Sequence, residues 1–142
     1  MTDASFGIIP IHEQNGERRF LLVHQKKGHW GFPKGHADEG EKPTQTALRE
    51  LAEETGVTSC ELIGVELFVE RYAFINKKGK RVDKTVTFFL GRVDDPSVTV
   101  QPEEVQDYAW LTADEVGGRL TFPEARELFS RVLDYLHTSN RV

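Results

Sequence analysis

The feature that most constrains this chain is a Gly/Pro-rich loop, "KKGHWGFPKGHADEGEKP", running straight into an acidic helix-forming stretch, "TQTALRELAEET". The loop segment sustains neither a helical nor a strand period, so at most one short strand is expected in it, at Trp30 to Phe32. Beyond it Pro43 suits a first helical turn and Gly56 a C-terminal cap. Ala47, Leu48, Leu51 and Thr55 recur at helical spacing between them, which predicts a helix over 43–55. At about 100° per residue Glu50 and Glu54 stack on one another with Glu53 beside them, on a face distinct from Ala47, Leu48 and Leu51. Like charges so placed cost a helix about a few tenths of a kcal/mol per pair. Either the face is solvated and partly balanced by Arg49, or a divalent cation neutralises it. Carboxylates without histidine or thiolate partners favour magnesium, with manganese or calcium as alternatives, over zinc.

The rest of the chain supplies a sheet for that helix. "FGIIPIH" (6–12) and "RFLLVHQ" (19–25) flank an Asn15-Gly16 turn and read as a β-hairpin. "ELIGVELFVERYAFI" (61–75) and "KRVDKTVTFFLGRV" (80–93), β-branched and aromatic, flank "NKKG" as a second hairpin. "VQDYAWL" (105–111) alternates like a strand, whereas Phe122, Ala125, Phe129, Val132, Leu133 and Leu136 fit one face of a second helix. The order β-β-(β)-α-β-β-β-α puts a helix on each face of a mixed sheet, an α/β/α sandwich. The 142 residues suit a single domain spanning 1–142.

The acidic helix and its loop share one spaced pattern. From Gly35, five residues lead to Glu41 and seven more to Arg49, followed by Glu50, Leu51, Ala52, Glu53, Glu54, Thr55, Gly56 and Val57. This resembles the signature of the Nudix hydrolases at every fixed position, and the order of elements is similar to the Nudix sandwich. The resemblance implies hydrolysis of a nucleoside diphosphate linked to another group. A pyrophosphate repels an incoming nucleophile, which is why such chemistry uses metal ions to shield its oxygens and lower the pKa of a bound water. By the same resemblance Glu50, Glu53 and Glu54 are metal ligands, joined by the backbone carbonyl of Gly35. Arg49 counts among the catalytic group by pairing with Glu41 and holding the helix face in register. Glu53 and Glu54 are both candidates for orienting or deprotonating water.

Flanking segments narrow the resemblance. "HWGFPKGH" and "DKTVTFFL" are similar to the asymmetrical diadenosine tetraphosphate hydrolases, which carry Trp, Pro-Lys-Gly-His and Lys-Thr-Val there. A four-phosphate bridge needs cations beyond the metal, and Lys34, His36 and Lys84 are the candidate phosphate contacts, whereas Lys26, Lys27, Lys77, Lys78 and Lys80 read as solvated turn lysines. Tyr72 matches a base-stacking position, against the alternative of an ordinary half-buried strand aromatic, with Phe122 and Tyr108 as candidates for a second ring. Glu104, which fits the spacing to "YAWL" better than Glu103, is a distal candidate for a second metal or the water. Trp30 and Trp110 read as structural, His12, His24 and His137 as outside any site, and His29 as an exposed loop residue.

Composition excludes other classes. A formal net charge of −5 gives no global attraction to nucleic acid or anionic lipid. No window approaches the ~20 apolar residues of a membrane span. One cysteine, Cys60, and an N-terminus unlike a signal peptide point to the cytoplasm. The expected partner is a small dinucleoside polyphosphate, with the chain a monomer or weak dimer. The rival readings are an RNA 5′-pyrophosphohydrolase, a nucleoside triphosphate pyrophosphohydrolase, and a non-catalytic nucleotide-binding Nudix domain. The first typically shows glutamine and glycine where this chain has Lys34 and His36, and the last usually lacks a motif glutamate that is present here.

Overall fold

The computed structural model describes residues 1–139. In chain order its elements are β1 (Thr2–Gln14), β2 (Glu17–Gln25), β3 (Trp30–Gly31), β4 (Lys34–Gly35), α1 (Pro43–Thr55), β5 (Cys60–Ile75), β6 (Arg81–Val93), β7 (Val105–Leu111), α2 (Ala113–Arg119) and α3 (Pro123–Ser139). The strands form one mixed sheet in the order β3-β2-β1-β6-β5, with β4 also on β1 and β7 on β2. β1 and β6 run parallel, and the other pairs are antiparallel.

Strand alternation sorts the apolar residues into two layers. Ile8 and Leu21 point to one face, where they pack on Ala47 and Leu51 of α1 together with Val57 and Val93. Their neighbours Ile9, Phe20 and Leu22 point to the other face and meet Leu128, Phe129, Val132 and Leu136 of α3. The sandwich is therefore as the sequence pattern predicts, and α1 has the predicted bounds, with Gly56 closing it at φ 73°. Among the described residues no helix is long and apolar enough to cross a membrane.

Several elements depart from the local pattern. β1 begins at Thr2 because most of it is paired along β6, from Thr2↔Asp83 to Ile11↔Arg92, and the Asp, Ala and Ser of "TDAS" lack the strand propensity to announce this. β4 exists only as a two-residue pairing, Phe6↔Gly35 and Gly7↔Lys34. The helix α2, unpredicted because "ADEVGGR" carries two glycines, is held by the buried Val116 and by Glu115, whose Oε1 accepts from the Thr112 N–H at 2.9 Å. β5 is interrupted by an unpaired segment between Leu62 and Leu67. Phe122 does not belong to the buried face of α3: it precedes the helix and is 49% exposed.

Candidate active site

The helix α1 presents two polar edges of opposite character. On one edge Arg49 is a hub. Its Nε and Nη2 donate to Glu41 at 2.7 and 3.0 Å, Nη2 donates to the His36 carbonyl at 2.9 Å, and Nη1 donates to Glu53 at 3.1 Å and to Glu50 at 3.2 Å. Glu41 in turn accepts from the Thr46 hydroxyl at 2.8 Å and the Asp38 N–H at 2.9 Å. These donors, Arg49 foremost, hold the Glu41 carboxyl down to about 2. The loop is thereby tied to the helix through one guanidinium, the pairing of Arg49 with Glu41 anticipated from the motif.

The other edge is buried, and of its carboxylates Glu50 receives a guanidinium, from Arg49 at 3.2 Å, whereas Glu54 receives none among the described residues. Glu50 is 9% exposed and Glu54 only 1%, so the solvated-face alternative does not hold. Burial pushes the Glu54 carboxyl up to about 8, against a hydrogen bond from Gln25 Nε2 at 3.3 Å, and the charges of Glu50 and Glu104 add to the rise. Burial also raises Glu50, with Arg49 opposing. Glu104 arrives on the segment between β6 and β7, which passes the C-terminal end of α1. That segment is anchored where the Thr99 N–H meets the Thr55 carbonyl at 2.9 Å and the Gln101 N–H meets the Glu54 carbonyl at 3.1 Å. Ligand atoms of Glu50, Glu54 and Glu104 all lie within 4.8 Å of one another. Oxygens about 3 to 4 Å apart surround a magnesium bound at about 2.1 Å, so this all-carboxylate set fits a hard divalent ion after a small contraction. A Cβ at Gly35 would overlap the Glu50 carboxylate and push it from this position. Glu53 is not one of the converging three; its side chain is 48% exposed and engaged by Arg49.

Beside the carboxylates lies a cationic wall. Lys84, 6% exposed, donates from Nζ to Asp3 Oδ2 and Ser5 Oγ, both at 2.7 Å. His36 Nε2 lies 2.9 Å from Asp3 Oδ1 and 3.3 Å from Lys84 Nζ. Lys34 is partly buried, and desolvation together with the Lys84 charge lowers its ammonium pKa against the pull of Glu70, Glu54 and Asp3. Lys34, His36, Lys84 and the carboxylate trio line a cavity of about 440 Å³.

A second cavity, of about 560 Å³, adjoins the first across Lys27, His29 and Lys34, which line both. Its walls are apolar, with Tyr72 and Phe74 on one side and Phe122 on the other. Tyr72 and Phe74 are 6.2 Å apart between ring centroids, and Phe122 lies 5.1 Å from the His29 ring. Glu70, two residues before Tyr72 on the same strand face, has one carboxylate oxygen enclosed without a partner, and burial raises its carboxyl. Tyr108, on β7, lines neither cavity and, 39% exposed, lies opposite Val23 of β2. A further surface hollow of about 590 Å³, by His12, Arg19 and Trp110, contains none of the predicted site residues.

One cleft therefore gathers Lys34, Gly35, His36, Glu50, Glu54, Lys84 and Glu104 at its polar end and Tyr72 at its apolar end. His29, read from sequence as an exposed loop residue, is half-buried between the two ends, and burial lowers its pKa; Lys27, an exposed turn lysine as the sequence reads, also lines both ends. Trp30 is stacked on His24 at 4.6 Å and under Arg119 at 4.8 Å, a structural placement, although its edge also lines the apolar cavity. Sequence reasoning missed Asp3, Ser5 and Gln25. The i, i+2 spacing of Asp3, Ser5 and Gly7 was the one available signal, and it becomes readable only once β1 is known to start at Thr2.

This fold and this carboxylate site define a class. Residues 1–133 match the NUDIX domain, and the chain belongs to the NUDIX family of pyrophosphohydrolases. It is 39% identical over 110 residues to the asymmetrical bis(5′-nucleosyl)-tetraphosphatase of Rattus norvegicus, covering 75% of this chain and 73% of that one. It is 29% identical over 126 residues to an RNA pyrophosphohydrolase of a Sulfurovum species, covering 82% and 80%. Among solved structures, the binary complex of the C. elegans Ap4A hydrolase superposes with a TM-score of 0.80 at 26% identity, over 95% of this chain and 98% of that one.

Proposed function

We propose that the protein hydrolyses diadenosine tetraphosphate and related dinucleoside polyphosphates asymmetrically, with magnesium as cofactor, water adding at a phosphorus near one end to release ATP and AMP. The observation that carries this reading is the two-ended cleft. A trio of close carboxylates and an aromatic hollow communicate across Lys27, His29 and Lys34, an order of chemistry matching metal-bound phosphates, a cation-screened bridge and a stacked base. The likeness to asymmetrical tetraphosphatases supports it.

In this reading Glu50, Glu54 and Glu104, with the backbone at Gly35, hold the divalent ion. That ion supplies charge neutralisation and a bound water of lowered pKa. Glu54, ionised when it shares the ion with Glu50 and Glu104, would accept the proton of the attacking water, and Glu53 is the exposed carboxylate available to a further ion brought in with substrate. Arg49 holds loop and helix together without touching substrate. Lys34, His36 and Lys84 face the phosphates, and Tyr72 stacks on one adenine opposite Phe122.

The test is hydrolysis of diadenosine tetraphosphate in oxygen-18 water with magnesium. ATP and AMP should form in equal amounts, with the label in one product only, and two ADP molecules would contradict the asymmetrical assignment. The likeness to an RNA pyrophosphohydrolase makes 5′-triphosphorylated RNA the necessary competitor. A large preference for RNA would replace the dinucleotide reading, against the expectation set by a net charge of −5.

A further inference from the structure

Asp3 and Ser5 belong to no motif. The parallel register Asp3↔Lys84 and Ser5↔Val86 places them on the same sheet face as Lys84. Two of the three ammonium hydrogens of Lys84 are directed at Asp3 Oδ2 and Ser5 Oγ, at 2.7 Å each. The Asp3 carboxylate simultaneously meets His36 Nε2 at 2.9 and 3.1 Å. Nε2 cannot both donate to Asp3 and accept from Lys84 at 3.3 Å. With its proton directed at Asp3, the third Lys84 hydrogen is left for an acceptor outside this network. Ser5, His36 and Lys84 line the polar cavity, whereas Asp3 does not.

We infer that Asp3 is a positioning residue, which from beside the cleft fixes Lys84 and His36 as one preorganised seat for a phosphate group. The inference rests on the proposed function only in taking the ligand to be a polyphosphate. Two effects of Asp3 oppose each other. Its negative charge repels an incoming anion, while its hydrogen bonds hold in place two side chains, Lys84 and His36, that would otherwise separate. The sign of the response to its removal therefore decides the matter.

The experiment is a double-mutant cycle of Asp3→Asn and Lys84→Gln, read by calorimetric binding of inorganic tripolyphosphate and by KM and kcat for diadenosine tetraphosphate. Asp3→Asn should weaken tripolyphosphate binding and raise KM about tenfold, with kcat changed by less than about threefold. On the Lys84→Gln background the same change should cost less than about twofold. Unchanged or tighter binding in Asp3→Asn would show that Asp3 merely competes with the ligand, and an undiminished loss on the Lys84→Gln background would show a general structural effect. Either result overturns the assignment. If Asp3→Asn does not fold, Asp3→Glu, which keeps the charge but displaces it by one methylene, takes its place in the cycle with the same sign expected. A wild-type protein that binds tripolyphosphate yet turns over no dinucleoside tetraphosphate would sink the functional reading while leaving the calorimetric cycle to decide on Asp3.

Discussion

The two edges of α1 carry similar charge and reach opposite electrostatic outcomes. Along one, Arg49 satisfies Glu41, Glu53 and the His36 carbonyl, and Glu41 is correspondingly easy to ionise. One residue further round, Glu50 and Glu54 are buried with Glu104 against them, and ionising Glu54 is opposed up to about pH 8. The difference lies in what the tertiary structure brings to each edge: a guanidinium with its full set of acceptors, or a third carboxylate. A region whose charges are matched internally has its work done by folding, whereas a region of unmatched buried charge is complete only when something else binds.

The sharpest way to break this contrast is to neutralise the unmatched edge. Glu54→Gln is expected to cut turnover by about a thousandfold or more, near 4 kcal/mol in transition-state terms, while circular dichroism stays unchanged. Near-normal turnover with an intact fold would remove Glu54 from the metal seat.

The same edge should govern stability against pH. Glu54 has its pKa raised on folding from 4.5 to about 8, so its protonated form is the one the fold tolerates. Stability is fully present below about pH 4.5 and is lost as pH rises through about 8. With chelator present, the unfolding free energy from denaturant titration should therefore fall across that window, by on the order of a few kcal/mol in total. Magnesium should restore it, and Glu54→Gln should flatten the slope. A slope identical in wild type and variant would place the cause elsewhere.

Removing the hub of the matched edge tests the other half of the comparison. Arg49→Ala should lower the unfolding free energy, because it takes the guanidinium from Glu41 and releases the loop, and should lower kcat by about tenfold through misplacement of Gly35. A stability loss without any kinetic change would mean that the loop keeps its position unaided.

The smallest effect is expected at Glu41. Its pKa is depressed from 4.5 to about 2, so its contribution is present above pH 4.5 and lost as pH falls toward 2. Glu41→Gln should soften the acid unfolding limb and leave the alkaline side of the curve as in wild type, which pairs it with Glu54→Gln as mirror images.

Much of this was legible in the chain itself. Pro43, Gly56 and the apolar spacing between them fix α1, and Asn15-Gly16 fixes the first hairpin, because propensity and period act over a few neighbouring residues. The motif likewise supplies Glu50, Glu54, Arg49 and Gly35 as a set, since their spacing is a property of one loop and one helix. What periodicity cannot state is what will cover a helical face. The burial of Glu54, the arrival of Glu104 some 50 positions down the chain, the locking of Lys84 by Asp3, and the meeting of His29 with Phe122 all depend on strands and loops distant in sequence. By itself the sequence determined which carboxylates share a helix. Only the tertiary structure decided which of them is buried with no ion-pair partner among the described residues, Glu54, because desolvation and charge matching depend on distances in space that no local pattern encodes.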